Sequence, residues 1–429
     1  MHNAPALGPR LREGLAWRIE KWKFDSLMMR CMYLGSKWPR LFSRSAGLEK
    51  CLMAGEGGMD CLQYAEQTGD LQRASRTLPN SPHVRLLLEY QKHGDQLLTD
   101  DRLAQTEYVA NAKQCMQING NYFGETTPAG LLDQARRFIA LYDAIRMKKE
   151  LPTIPTYNRW HSVAGTLPVV RATLTEGVVQ VRDGQHRLAI EYALGRKVAQ
   201  VMCLPAKASP LQQLVLSVAQ TSGRRELYQE MNSIEFDASW HVVRRCSSRM
   251  ELMRKLFRDE GMDLSRLSVL DLPCSYGWFV AEYGRLGAKA LGVERDPVAA
   301  KIGVIAYGNT PQQVEISDIE SFLASNTRTF DVVMFLSILH HYVLGLQKLT
   351  AREILSKIDR ITGRCLILDC GESGEEWYAK DMPEWNPEYI AEFIRQNTSF
   401  RRIIALGKDQ DNRDIYKKNY QRTLFACFR

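Results

Sequence analysis

The stretch LSVLDLPCSYGWFVAEYGRLGAKALGVERD, Leu267–Asp296, decides the fold. Ser268–Leu272 is a short apolar strand, Pro273–Gly277 a tight loop leading into a helix, and Ala288–Val293 the next strand, closed by Glu294. Asp271 and Glu294 are 23 residues apart. This spacing suits a strand–helix–strand unit in which a nucleoside lies across the carboxyl ends of adjacent strands. An acid at the end of the second strand accepts hydrogen bonds from both ribose hydroxyls. The loop must let backbone approach the ligand, so small residues belong there.

The stretch resembles the first motif of class I S-adenosylmethionine-dependent methyltransferases, D-x-G-x-G-x-G. Pro273 and Ser275 stand in place of the first two glycines, and Gly277 remains. A dehydrogenase would need G-x-G-x-x-G to bring backbone against a pyrophosphate, and that pattern is absent here. S-adenosylmethionine has no phosphate, so its loop tolerates the substitutions better. The series continues downstream. EISDIESF puts Asp318 about where the family holds the adenine amino group, and TFDVVMFLSILHHY resembles the fourth motif, with Leu336–His341 at its strand's carboxyl end. TGRCLILDCGE reads as the fifth strand, and the terminal RTLFACFR suits the last, antiparallel one.

The resemblance implies an α/β fold, a Rossmann-like doubly wound methyltransferase sheet over residues 225–429. It implies S-adenosylmethionine as cofactor, contacted by Asp271, Pro273, Ser275, Gly277, Glu294, Asp318 and Leu336. His340 and His341 leave the fourth strand toward the cleft. They are either bases for a hydroxyl acceptor or residues that cap the strand and shape the pocket.

Upstream, a hairpin over Leu167–Arg182 precedes Asp183-Gly184-Gln185-His186-Arg187 and an apolar helix. Gly184 permits a tight turn into that helix. The backbone N–H groups of its first turn, with Arg187 beside them, make an anion pocket. Residues 150–205 resemble the ParB/sulfiredoxin superfamily, whose box reads G-x-H-R or G-E-R-R. Gln185 stands where sulfiredoxins carry a reactive cysteine, so their redox chemistry is not expected, and it also replaces the glutamate of the DNA-partition branch. The resemblance implies a nucleotide or phosphate held by Asp183, Gly184, His186, Arg187 and Glu191. Asp183 and Glu191 are the acids placed to hold Mg²⁺, and some members of the superfamily are small-molecule kinases.

Residues 1–150 read as helical, clearest at Pro128–Glu150, where Leu131, Ala135, Phe138, Ile139 and Tyr142 recur at helical spacing. The prolines of Leu151–Thr156 mark a boundary, and residues 206–266 read as a helical connector. The expected organisation is therefore a helical region (1–150), a small α+β ParB/sulfiredoxin-like domain (151–224) and a methyltransferase domain (225–429).

Composition bounds the function. The chain has 429 residues, 45% of them hydrophobic and 25% charged, as in folded globular proteins. Its ten cysteines include no C-x-x-C pair, which suits reduced thiols in a cytoplasm. Arg10, Arg12, Glu13 and Arg18 interrupt any signal-like apolar run, and no run reaches the roughly 20 residues of a membrane span. Residues 1–50 carry ten Lys/Arg against four Asp/Glu, with Trp17 and Trp22 among them. Residues 10–45 thus suit a helix packing an aromatic stripe on the protein, or one docking on the inner face of an anionic membrane.

The combination of domains resembles multidomain proteins of bacterial surface-polysaccharide (O-antigen type) assembly. That implies methyl transfer to a hydroxyl or phosphate of a glycan acceptor. The alternatives are a nucleic-acid-binding module with an attached nucleic-acid methyltransferase, and a catalytically silent scaffold. LSILHHY lacks the N/D-P-P-Y/F of amino-group DNA methyltransferases, and the basic excess lies far from the D-G-Q-H-R box, so a nucleic-acid partner is not expected.

Overall fold

The computed structural model describes residues 43–53, 59–147, 170–221, 223–236, 239–410, 416 and 419–429. The basic segment up to residue 42 and the boundary at Leu151–Thr156 lie outside them. The chain divides into two compact units: residues up to Leu211 with Ser233–Glu235, and Gln212–Asn232 with Phe236–Arg429.

The first unit has a five-stranded sheet in the order β1-β5-β3-β4-β2. The expected hairpin is β3 (Arg171–Thr175) and β4 (Val178–Asp183), turned at Glu176-Gly177. The outer strands β1 (Ser43–Gly47) and β2 (Cys51–Leu52) come from the region read as helical, which corrects that reading. One sheet therefore unites stretches that the sequence assigned to separate regions. Strands of five and two residues are too short to show a two-residue period.

The longer helices of this unit among the described residues are α1 (Cys61–Thr68), α2 (Pro82–His93), α3 (Glu107–Asn119), α4 (Pro128–Arg146) and α5 (Gln185–Ala193). β5 (Val198–Pro205) returns parallel to β3. α4 forms because Thr127 caps it, accepting from Gly130 N, and because Leu131, Ala135, Phe138, Ile139 and Tyr142 share a buried face.

The second unit opens with a parallel ribbon, β6 (Glu226–Gln229) and β7 (His241–Arg244), followed by α6 (Cys246–Asp259). The helical connector expected over 206–266 is corrected at this ribbon. ELYQ and HVVR are four residues each and half polar, which hides them in the sequence.

The main sheet then runs β8 (Ser268–Asp271), α7 (Trp278–Arg285), β9 (Lys289–Glu294), α8 (Pro297–Tyr307), β10 (Val314–Ile316), α9 (Ile319–Ser325) and β11 (Phe330–Phe335). It continues with α10 (Leu339–Val343), α11 (Ala351–Ile361), β12 (Thr362–Leu368), α12 (Pro387–Asn397), β13 (Arg402–Lys408) and β14 (Thr423–Phe428). The strand order is β10-β9-β8-β11-β12-β14-β13, with only β14 antiparallel to its neighbours. This is the doubly wound Rossmann-like arrangement of methyltransferases, reversing direction between β8 and β11, where ligands bind in such sheets. Val332–Phe335 and Leu366–Leu368 are fully buried because helices cover both faces of the sheet.

α8 packs directly on the loop after β8. A Cβ at Gly303 would lie 2.0 Å from the Tyr276 carbonyl oxygen. Backbone cannot rotate aside, so Gly303→Ala should cost about 1–3 kcal/mol in overpacking. That outweighs the ~1 kcal/mol alanine gains in helix propensity. The expected result is a lower urea midpoint for the full chain; an unchanged midpoint would show that helix and loop separate freely.

Candidate cofactor and acceptor site

The loop after β8 departs from three glycines, and the structure shows how it does so. Cys274 and Tyr276 are fully buried, packed into the unit. Cys274 N donates to Val293 O at 2.9 Å, and its sulfur occupies the space a Cβ on Gly292 would need. Gly292 and Gly303 leave the room that the loop's own residues do not. Gly277 keeps the left-handed backbone (φ 77°) that turns the loop into α7, with the Asn309 amide 2.6 Å from where its Cβ would lie.

Two acids meet at the strand ends, as the sequence places them. Glu294 accepts Ser275 N on Oε2 and Asp296 N on Oε1, both at 2.9 Å. It is therefore held by backbone, with lone pairs to spare for ribose hydroxyls. Asp271 is 2% exposed, and its Oδ2 has no hydrogen-bond partner; the Ser275 hydroxyl beside the loop is likewise buried and unanswered. Burial, and then Glu294, push the Asp271 carboxyl well above its usual range; burial also raises Glu294. A buried carboxylate oxygen without a donor fits the α-ammonium of S-adenosylmethionine, with Glu294 next to it for the ribose. Leu336 is buried and Pro273 half-buried. Asp318 is exposed and caps α9, accepting Ser321 N at 2.9 Å and the Ser321 hydroxyl at 2.6 Å, which lowers its pKa.

The end of β11 carries a group that the sequence reading missed. Ser337 takes a left-handed backbone (φ 59°) and donates its N–H to buried Asp369 at 2.7 Å. This turn delivers His340 and His341, rings 4.6 Å apart. His340 Nδ1 accepts Gly371 N at 3.3 Å, so the neutral ring carries its proton on Nε2. Burial, then Arg422, hold both histidines below the usual imidazole range.

Arg422, 1% exposed, gives Nε and Nη2 to Glu375 at 2.7 and 3.0 Å, and its Nη1 finds no partner. Buried Arg244, at the end of β7, lies 4.2 Å over the Tyr420 ring, and Arg422 lies 5.2 Å over the same ring. Tyr378 stands between His340 (4.9 Å) and Arg422 (5.5 Å). Two guanidiniums on one tyrosine repel each other, and Glu375 offsets the charge of Arg422. Arg244 and Arg422 are far apart in sequence and carry no motif, so only the fold brings them together.

In the first unit, Gly184 takes the left-handed conformation that opens α5, and Arg187 is half-buried in its first turn. His186 turns the other way. Its Nε2 is 2.7 Å from the Tyr108 hydroxyl, and its ring lies 4.4 Å from Phe138 and 4.7 Å from His83 and Phe123. Burial keeps it neutral. The structure thus packs His186, which the box reading grouped with Gly184 and Arg187, among aromatic side chains. Glu191 is ion-paired to Arg196 at 2.5 Å, and the Asp183 side chain lies outside the description. Among the described residues no group of three or more potential ligands could hold a metal ion.

No protein-family model and no curated protein matches the chain. Solved structures similar to it include the bifunctional kinase-methyltransferase WbdD (22% identity, TM-score 0.39, covering 51% of this chain and 46% of that one). Others are the magnesium protoporphyrin IX methyltransferase of Synechocystis PCC 6803 with bound SAM (20%, 0.31, 43% and 79%) and a SAM-dependent methyltransferase from Archaeoglobus fulgidus (18%, 0.30, 43% and 96%). The chain matches less than half the length of WbdD. At these scores the likenesses carry no argument of their own; the strand order and the site geometry do. Among the described residues no helix is long and apolar enough to cross a membrane.

The raised carboxyls fix a pH dependence. Asp271 and Glu294 hold protons more tightly folded than unfolded. Their contribution to ligand-free stability is therefore full below the ordinary carboxylate range and lost as pH rises through the raised values. S-adenosylmethionine needs the ionised forms, so its affinity should increase with pH across the same window. Calorimetric titration from acidic to mildly alkaline pH checks this; affinity that falls with rising pH would contradict it.

Proposed function

We propose that the second unit transfers a methyl group from S-adenosylmethionine to an oxygen of a phosphorylated glycan, within bacterial surface-polysaccharide synthesis. The observation that carries the phosphate reading is Arg422 Nη1, buried and unpartnered beside Arg244 and the two histidines. When bound, the cofactor supplies a methyl on a sulfonium leaving group. The acceptor oxygen bonds to that carbon as the C–S bond breaks, and the chain's part is alignment. A phosphate oxygen is already anionic and needs no base. Arg244 and Arg422 would orient it and offset its charge, and His340 would donate from Nε2–H. For a hydroxyl acceptor, His341 is the histidine left to take the proton.

Arg244→Met should raise the KM for a phosphorylated glycan acceptor about 10–100-fold, the worth of a charge-assisted hydrogen bond. S-adenosylmethionine affinity should stay unchanged. Steady-state kinetics with calorimetry decide; an unaltered KM removes the phosphate reading. Glu294→Ala should weaken the cofactor by a similar factor.

We further infer that the first unit binds a nucleotide or other phosphorylated ligand at the start of α5, through its N–H groups, Gly184 and Arg187. His186 takes no part in that contact, because it faces the aromatic core. Arg187→Ala should weaken ATP or CTP without changing S-adenosylmethionine affinity. If wild type binds no phosphorylated compound at millimolar concentration, the box is a structural turn and a kinase role goes with it.

A further inference from the structure

The loop after β8 has lost the glycines that usually define it, yet it is pinned from outside. Gln229, the last residue of β6, is 4% exposed. Its Nε2 donates to Cys274 O and its Oε1 accepts Trp278 N, both at 3.2 Å. One side-chain amide thus spans the loop from its second residue to the first residue of α7. Tyr228 N, its neighbour, donates to the Tyr276 hydroxyl at 3.5 Å. Across the ribbon, the register partner of Gln229 is Arg244.

We propose that Gln229 is a positioning residue for cofactor binding, fixing the loop conformation that Pro273 and Ser275 no longer specify through glycine geometry. This rests on the reading of Asp271–Gly277 as the S-adenosylmethionine loop. The amide suits the task because it donates and accepts at once. The loop offers one carbonyl and one N–H, which a carboxylate, an ammonium or an apolar side chain of that length cannot satisfy together. Holding the loop keeps Ser275 N on Glu294 and Asp271 at its strand end, so the ordering is done before the ligand arrives.

The test uses the full chain as wild type, Gln229→Ala and Gln229→Glu. S-adenosylmethionine and, separately, inorganic phosphate are titrated by calorimetry, and thermal melting is followed without ligand. Gln229→Ala should weaken S-adenosylmethionine about 10–100-fold, the sum of two hydrogen bonds. Phosphate affinity should stay near wild type, and the melting temperature should fall only by the few degrees that stranding two buried groups costs. Gln229→Glu mimics the amide only when protonated, since its carboxylate would face the Cys274 carbonyl. Its deficit relative to wild type at the same pH should shrink as pH falls. A merely structural residue would show no such recovery.

Wild-type cofactor affinity in Gln229→Ala overturns the proposal. So does equal weakening of phosphate with a lowered melting temperature, or a glutamate deficit indifferent to pH. A wild-type chain that binds no S-adenosylmethionine overturns the loop assignment itself, and this proposal with it. Absence of phosphate binding in wild type counts against the phosphate readings of both units and leaves the cofactor result to decide this proposal.

Discussion

Glu294 accepts one backbone N–H from the loop after β8 and another from its own strand end, and the site geometry follows from that pairing. A carboxylate with two backbone donors is fixed in direction without a long cation beside it. It joins the ends of β8 and β9, where the sheet opens, and sets Asp271 next to a second acid. Burial raises both carboxyls, Glu294 adds to the rise at Asp271, and Asp271 Oδ2 is left without a donor. The cleft is thus prepared for positive charge on one side.

The other side of the cleft is built from buried cations. Arg249 on α6 gives two hydrogen bonds to Asp409 and lies 3.5 Å from Asp369, which in turn holds the Ser337 turn. Arg422 is held by Glu375. Buried pairs of this kind add little net stability against apolar packing, but removing one partner costs about 3–5 kcal/mol. Their effect is to fix where the end of β11 delivers its histidines. Arg244 reaches the same tyrosine from the ribbon.

The first unit follows a different economy. Its box residues are divided between a helix start, where Gly184 and Arg187 stand, and an aromatic core that takes His186. The deciding factor is the Tyr108 hydroxyl. A buried imidazole needs a polar partner, and it is supplied from α3 rather than by a ligand.

The order of strands and helices in the second unit is legible in the chain, because apolar runs alternate with helical periods from Ser268 to the end. Asp271, Gly277 and Glu294 are legible for the same reason: their spacing is local, set by one strand–helix–strand unit. The strands β1, β2, β6 and β7 are not, being two to five residues long, and β1 and β2 pair with partners far away in sequence. Nor are Arg244, Arg422, Tyr378 and Gln229, which acquire meaning only when distant segments meet. The sequence by itself determined the doubly wound sheet and the cofactor edge, since local periodicity and turn chemistry encode both. Tertiary structure alone decided which way His186 faces, which residues replace the lost glycines and which side chains surround Arg422, because burial and long-range hydrogen bonding have no local signature.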